Sequence, residues 1–440
     1  MSGISYIIYD NMPRQRVKTS VNASIKDGVV WAAMSGFADP YAVPFAMALG
    51  ASTMGVGVLR SVPSLVSSFF QFFSERLVVW LGSCKKAVLL NVFIQALSLF
   101  AAAAAVLLPA RAAFPALLAA VAVYTVSGNM SGPPWAVLMG EYIPASKRGN
   151  FFGFRYQLLG FVFFGASFIA SKVLGLAGPA ALWGFAVVFA AAGVFRLLSF
   201  YFITFMYEPR TCFHMPRGSG VDFMASLDFR KGRVPALFFS VLVLLFSTYL
   251  AAPYFSVYSL KELGCDYPHY MVLMTIGPLL TYLCMKRWGQ AADTYGSVKI
   301  LKCAFLLIPT VPLLWSLSRN FYYLAAVESY SGVIWGAYLI GMNNFIYETS
   351  PAHSRAGYNA FFSFTNGIAQ FGGALTGGWL YERLPAIRGS AFVFLLLISA
   401  LLRALAVIPL FLMVREVRSV KLAGPIELLL FMSGFKPLVR

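Results

Sequence analysis

The sequence predicts an all-α integral membrane protein of twelve transmembrane helices in two pseudo-symmetric six-helix bundles. Three observations carry that expectation: the composition, apolar runs of membrane length, and an internal repeat. Of 440 residues, 59% are hydrophobic and 11% charged, and mean hydropathy is +0.75. No water-soluble core hides that much apolar surface. Runs near twenty residues, the length that crosses a bilayer as a helix, fall at 27–50, 53–73, 87–109, 113–139, 150–174, 178–206, 234–259, 269–287, 300–318, 321–346, 358–381 and 389–414. Alternating strand patterns are absent, which argues against a membrane β-barrel.

The repeat is visible as a phrase. Glu141-x-x-Pro144-Ala145-x-x-Arg148 returns as Glu348-x-x-Pro351-Ala352-x-x-Arg355, 207 positions later. Gly160, Gly165 and Arg196 return at the same offset as Gly367, Gly372 and Arg403. Earlier pairs are 213 and 214 apart, Pro40-Tyr41 with Pro253-Tyr254 and Gly82-Ser83 with Gly296-Ser297. The halves therefore differ slightly in length, and tandem membrane halves are a common plan for secondary transporters. The expected organisation is a cytoplasmic segment 1–26, a bundle 27–206, a polar central loop 207–233, a second bundle 234–414 and a cytoplasmic tail 415–440.

The formal charge of +18 follows from topology. With the N-terminus inside, inner segments with the adjoining span ends carry 25 Lys and Arg, outer segments with theirs 6, and span interiors 3 (Arg60, Arg196 and Arg403). That is the positive-inside pattern, with both termini cytoplasmic in the plasma or inner membrane. The cations are dispersed among loops, so no nucleic-acid partner is expected. The polar first twenty residues lack an apolar core, and the first span is expected to serve as the insertion signal. Five cysteines and three histidines show no paired or metal-ligand spacing. No phosphate-binding loop is present, so neither a cofactor nor direct ATP coupling is expected.

The loop after the eighth span reads Gly289-x-x-x-Asp293-Thr294-x-Gly296-Ser297-x-Lys299. With twelve spans, six-plus-six halves and a basic central loop, it resembles the major facilitator superfamily over about residues 20–414. Thr294 and Ser297 stand where that family's loop has cations, and Lys299 keeps one slightly displaced. The equivalent loop after the second span, from Glu75-Arg76 to Gly82, lacks the central Asp, leaving Glu75 as the substitute. In such loops glycines allow the reversal, and the acid caps a helix start or pairs across a gate. Glu75, Arg76, Glu141, Arg148, Gly289, Asp293, Gly296, Lys299, Glu348 and Arg355 are therefore candidate gating residues.

Charges inside spans carry the functional signal, because an ionisable group at bilayer depth is expensive. Asp39 lies mid-way along the first span beside Pro40 and Pro44, which bend the helix. Counted from the ends of their spans, Asp39 lies roughly 15 Å deep, and Arg60 and Glu328 roughly 10 Å. The resemblance places the first and tenth helices on a central cavity. Two readings follow: Asp39 or Glu328 is a protonatable coupling site, or Arg60 holds an anionic group of the substrate. A permanent Asp39–Arg60 pair is the bland alternative. Tyr124, Asn129, Trp335, Asn343, Asn366 and Gln370 are further candidate substrate contacts. Arg196 and Arg403 read as structural anchors whose side chains reach the inner surface, since the resemblance makes their helices peripheral.

The functional expectation is a non-enzymatic, monomeric carrier: a secondary active transporter, of symport type, moving a small solute by alternating access. A proton or cation gradient would drive it. A drug or metabolite efflux antiporter is the alternative, followed by a receptor of the same fold. Three scattered histidines argue against a membrane-embedded enzyme.

Overall fold

The computed structural model describes residues 14–143, 145–178, 182–208, 233–349, 355–387 and 389–414. These residues form helices and turns, with a single isolated bridge between Ile387 and Ser390. In chain order the helices are α1 (Arg14–Ala38), α2 (Ala42–Ala48), α3 (Thr53–Phe70), α4 (Ser74–Leu81), α5 (Cys84–Ala104), α6 (Ala110–Tyr142), α7 (Ala145–Ala177) and α8 (Leu182–Thr204). They continue as α9 (Arg233–Ala251), α10 (Tyr267–Tyr295), α11 (Ser297–Leu307), α12 (Thr310–Leu317), α13 (Phe321–Thr349), α14 (Arg355–Tyr381) and α15 (Ala391–Met413). Taken with the breaks at 39–41, 71–73 and 308–309, they follow the twelve expected spans one for one.

Among the described residues, eight helical stretches are long and apolar enough to cross a membrane. The spans outside that set are the first, eighth, tenth and eleventh. They hold Asp39, Lys286 with Arg287, Glu328 and Asn366 respectively, polar groups that lower their hydropathy.

The chain divides into two compact units, Met1–Ala51 with Val62–Arg217, and Ser52–Ser61 with Gly218–Arg440. In the first unit α1 packs on α7 and α8, and α5 packs on α6 and α8. In the second unit α9 packs on α14 and α15, while α11 packs on α13 and α15. The sequence repeat is therefore also a repeat of helix pairings. Ser52–Ser61, the start of α3, groups with the second unit. Met54 N donates to Glu382 Oε1 at 3.1 Å, and a Cβ on Gly57 would lie only 2.9 Å from the Ala374 carbonyl oxygen.

Helix α1 begins at Arg14, well before the apolar stretch expected from residue 27. Val17 and Val21, one turn apart, pack with Val78, Cys84, Val88, Leu138 and Tyr142 in one apolar cluster. Buried Ser20 accepts a 2.8 Å bond from the Tyr207 amide. Burial on one face extends a helix through residues whose composition alone is polar. The other end stops as the prolines predict: Asp39 N closes the last turn on Ser35 O at 2.9 Å, and Pro40 has no N–H to continue it. Tyr41 then donates to Ser167 O at 2.5 Å, and Ser167 Oγ donates to Gly36 O at 3.0 Å, fixing the elbow against α7.

Candidate functional site

A cluster of buried charge lies in the first unit, around Arg196 and two residues that the sequence reading left out, Asp27 and Arg155. Asp27 on α1, Arg155 on α7 and Arg196 on α8 are 5%, 6% and 4% exposed. An Arg155 Nη2 lies 4.0 Å from Asp27 Oδ2. Ser199 donates to Asp27 Oδ1 at 2.6 Å and accepts from Arg196 Nη1 at 2.9 Å, so one hydroxyl bridges acid and base. The Arg155 guanidinium stacks over the Trp135 ring, 4.6 Å from its centroid. It also lies against the α1 backbone: a Cβ on Gly28 would fall 2.6 Å from Arg155 Nη2. These groups line a cavity of ≈ 230 Å³ whose wall includes Trp31, Gly128, Ser131, Gly132, Trp135 and Tyr156. The α6 contribution is spaced 128, 131, 132 and 135, which is one helical face.

Arg196 therefore does not reach outward to a membrane surface, and the anchor reading is corrected. Its counterpart Arg403, 3% exposed, likewise turns inward, donating from Nε to Ser399 Oγ at 3.1 Å. The expectation failed because it assumed lipid around both helices. Each helix instead supplies a serine one turn away, Ser199 and Ser399, as an internal partner.

Asp39 is held in the same unit by Tyr124, whose hydroxyl donates to Oδ1 at 2.8 Å. Gln95 Nε2 fixes that turn of α6 through Tyr124 O at 3.1 Å. Asn129 is exposed and donates to Ser67 Oγ at 2.8 Å. Arg60 and Glu328 belong to the second unit. There Gln370 Nε2 donates to Arg60 O at 3.0 Å, placing α3 beside α14.

Glu328 on α13 accepts from the indole of Trp315 at 2.7 Å, and Trp315 is 1% exposed. Its other oxygen faces α10 at Gly277, where an added Cβ would meet it at 3.2 Å. Arg403 is near enough for its charge to act on Glu328. Asn366 on α14 has a buried Oδ1 without a hydrogen-bond partner, and Tyr338 has a buried hydroxyl in the same condition. Trp335 packs edge-on against Tyr338 with centroids 5.2 Å apart, while Asn343 is exposed. Glu328 thus sits on α13, and Asn366 and Gln370 on α14.

The proposed gate residues divide. Gly82 ends α4 in the left-handed region at φ 61°, and Gly296 joins α10 to α11 at φ 94°, as the loops require. Asp293 does not cap the next helix: α10 runs to Tyr295, and Asp293 is an exposed residue of its last turn. Lys299 lies in the first turn of α11, and Gly289 two turns before the end of α10. Glu348 accepts a hydrogen bond from Ser297. Ser83, the repeat counterpart of Ser297, instead donates to Glu208, which also accepts from Lys85 N at 3.0 Å. Glu141 and Glu75 are half-buried, and exposed Arg76 covers the Phe73 ring, its guanidinium 5.4 Å from the centroid. The side chains of Arg148 and Arg355 lie outside the described residues.

The Major Facilitator Superfamily sequence model matches residues 237–438. No curated protein matches the chain in sequence. Solved structures similar in fold include the nucleoside transporter NupG, at 14% identity and a TM-score of 0.65, covering 90% of this chain and 99% of that one. A D-xylose-proton symporter is 14% identical with a TM-score of 0.66, covering 91% and 98%. A bacterial homologue of the human lysosomal transporter Spinster is 13% identical with a TM-score of 0.67, covering 91% and 97%. In sequence the second half of the chain matches the Major Facilitator Superfamily model, and in fold most of its length resembles these transporter structures.

Proposed function

We propose that the protein is a secondary active transporter that carries a small polar solute across the cell membrane by alternating access. The bundles 27–206 and 234–414 are the moving parts, both termini face the cytoplasm, and a proton or cation gradient supplies the drive. The observation that carries this reading is ionisable groups held within spans by specific donors: Asp39 by Tyr124 and Glu328 by Trp315. A carboxyl of that kind is expensive to keep in a membrane domain unless a pathway uses it. The similar structures support the same class, since they include a nucleoside transporter and a proton symporter. Either acid accepts the coupling proton from one side and returns it on the other; Tyr124 in the first unit, and Asn366 and Gln370 in the second, are each proposed as polar groups that a moving solute meets. The Ser297–Glu348 and Ser83–Glu208 bonds close the loops that act as gates.

The test is flux in proteoliposomes under an imposed pH or sodium gradient, with Asp39→Asn and Glu328→Gln beside the unaltered protein. Accumulation that collapses with the gradient and is lost in at least one variant supports the reading. Equal accumulation with and without either gradient removes coupling, and full gradient dependence in both variants removes these acids from it.

A further inference from the structure

The cavity of the first unit carries more positive charge than it neutralises. Of the residues lining it, Asp27 is acidic while Arg155 and Arg196 are basic. Both guanidiniums are more than nine-tenths buried, and the Nε of each lacks a hydrogen-bond partner among the described residues. Arg155 stands 4.0 Å from its carboxylate rather than in a tight paired geometry, and Arg196 reaches Asp27 through Ser199. A guanidinium presents its donors as a planar fork that matches a carboxylate, and leaving such donors buried without an acceptor is costly. The rest of the wall is flat and apolar: Trp31, Trp135, Tyr156, Val88 and Val92. Two cations against one anion leave one positive charge, which a monoanion balances and a dianion would overshoot beside Asp27.

We propose that this cavity binds a carboxylate monoanion with a small apolar or aromatic body, its carboxylate taken by Arg155 and Arg196 and its body laid against Trp31 and Trp135. Asp27 competes with the ligand for Arg155 and keeps the arginines separated when the site is empty. The inference rests on the transporter reading above and names the class of its solute.

The experiment uses full-length protein purified in detergent, with binding measured by thermal shift and isothermal titration. The probes are benzoate, phenylacetate and hexanoate, each against its neutral amide, with phthalate as the dianion. At least one monocarboxylate is expected to bind about tenfold or more tighter than its amide and than phthalate, as the loss of a charge-assisted hydrogen bond implies. Arg155→Gln is expected to abolish that preference. Gly28→Ala serves where Arg155→Gln fails to fold: it keeps every charge, adds helix propensity, and displaces only the flexible end of Arg155. It should weaken carboxylate binding about tenfold while the protein stays folded. Asp27→Asn should tighten carboxylate binding, because it removes the competitor. No binding by any of the three monocarboxylates, equal binding of the amides, or unchanged affinity in Gly28→Ala would overturn the proposal.

The same carboxylates, together with D-xylose and uridine, are then tested for flux in proteoliposomes. Flux of a neutral solute without any carboxylate overturns the anion site and leaves the transporter reading intact. Specific carboxylate binding without flux of any solute supports the site and overturns the transporter reading.

Discussion

Gly332→Ala should damage this protein in a way that Gly277→Ala does not, although the two glycines face each other across α10 and α13. A Cβ on Gly332 would fall 2.8 Å from the Gly277 carbonyl carbon and 2.9 Å from its Cα, with the carbonyl oxygen closer still. Those are backbone atoms of a packed helix, so they cannot rotate away. Relief requires the helices to part by roughly half an ångström or more, and overpacking of that kind costs about 1–3 kcal/mol. The added methyl returns about 1 kcal/mol of helix propensity. The contact with rigid backbone puts the cost at the upper end, for a net loss of about 2 kcal/mol. A Cβ on Gly277 meets only Glu328 Oε2 at 3.2 Å and Glu328 O at 3.3 Å, which small adjustments absorb. Glu328 lies one turn from Gly332, so parting the helices also stretches its 2.7 Å bond to Trp315. Thermal unfolding in detergent checks the order, with Gly332→Ala melting below Gly277→Ala and transport falling with it. Gly332→Ala melting at the temperature of the unaltered protein would refute the packing argument.

Other substitutions test the remaining contacts. Ser199→Ala removes the hydroxyl shared by Asp27 and Arg196 and should cost about 1–3 kcal/mol in denaturation, because it leaves buried charged partners unsatisfied; no loss would restore an outward-facing Arg196. Ser83→Ala should destabilise more than Ser297→Ala. Ser83 both caps α5 through Lys86 N and donates to Glu208, a cap being worth about 1 kcal/mol, whereas Ser297 donates to Glu348 without capping α11. Trp315→Phe keeps a smaller aromatic ring and deletes the donor to Glu328, so gradient-driven flux should fall by more than the accompanying drop in melting temperature explains; unchanged flux would make that bond structural only. In a variant keeping Cys265 alone, a membrane-impermeant maleimide should label intact cells from outside. Burial and then the neighbouring Asp266 carboxylate hold this thiol above its ordinary pKa, so the thiolate is scarce at neutral pH and labelling should climb with each added pH unit. Labelling only after the cells are opened would invert the proposed topology.

Much of this architecture was readable from residues alone, because membrane length and repeat offset are properties of sequence. The elbow at Asp39 followed from Pro40, and the turns at Gly82 and Gly296 from glycines that tolerate positive φ. Asp27 and Arg155 escaped notice for a physical reason. Each stands near the end of an apolar run, where a charge ordinarily reads as a loop residue that sets topology. Only the extension of α1 back to Arg14, driven by the packing of Val17 and Val21, makes Asp27 an interior residue. The one available signal was Arg155 lying five residues inside the fifth run, a charge with no reason to be there unless partnered. Grouping Ser52–Ser61 with the second unit, likewise, depends on glycine faces meeting in space, which no linear pattern encodes.

The bond from Ser83 to Glu208 has a mechanical meaning, because Glu208 follows α8 by four residues, at the start of the polar sequence that joins the halves. Tension arriving along that joint would reach α8 at a clasped point rather than at a fraying end. The strain passes sideways into the turn between α4 and α5 before any coil of α8 is pulled open. The second half, whose matching serine grips Glu348 on α13, has no such clasp on its final helix through this serine, so the two copies share a hinge design but not a load path.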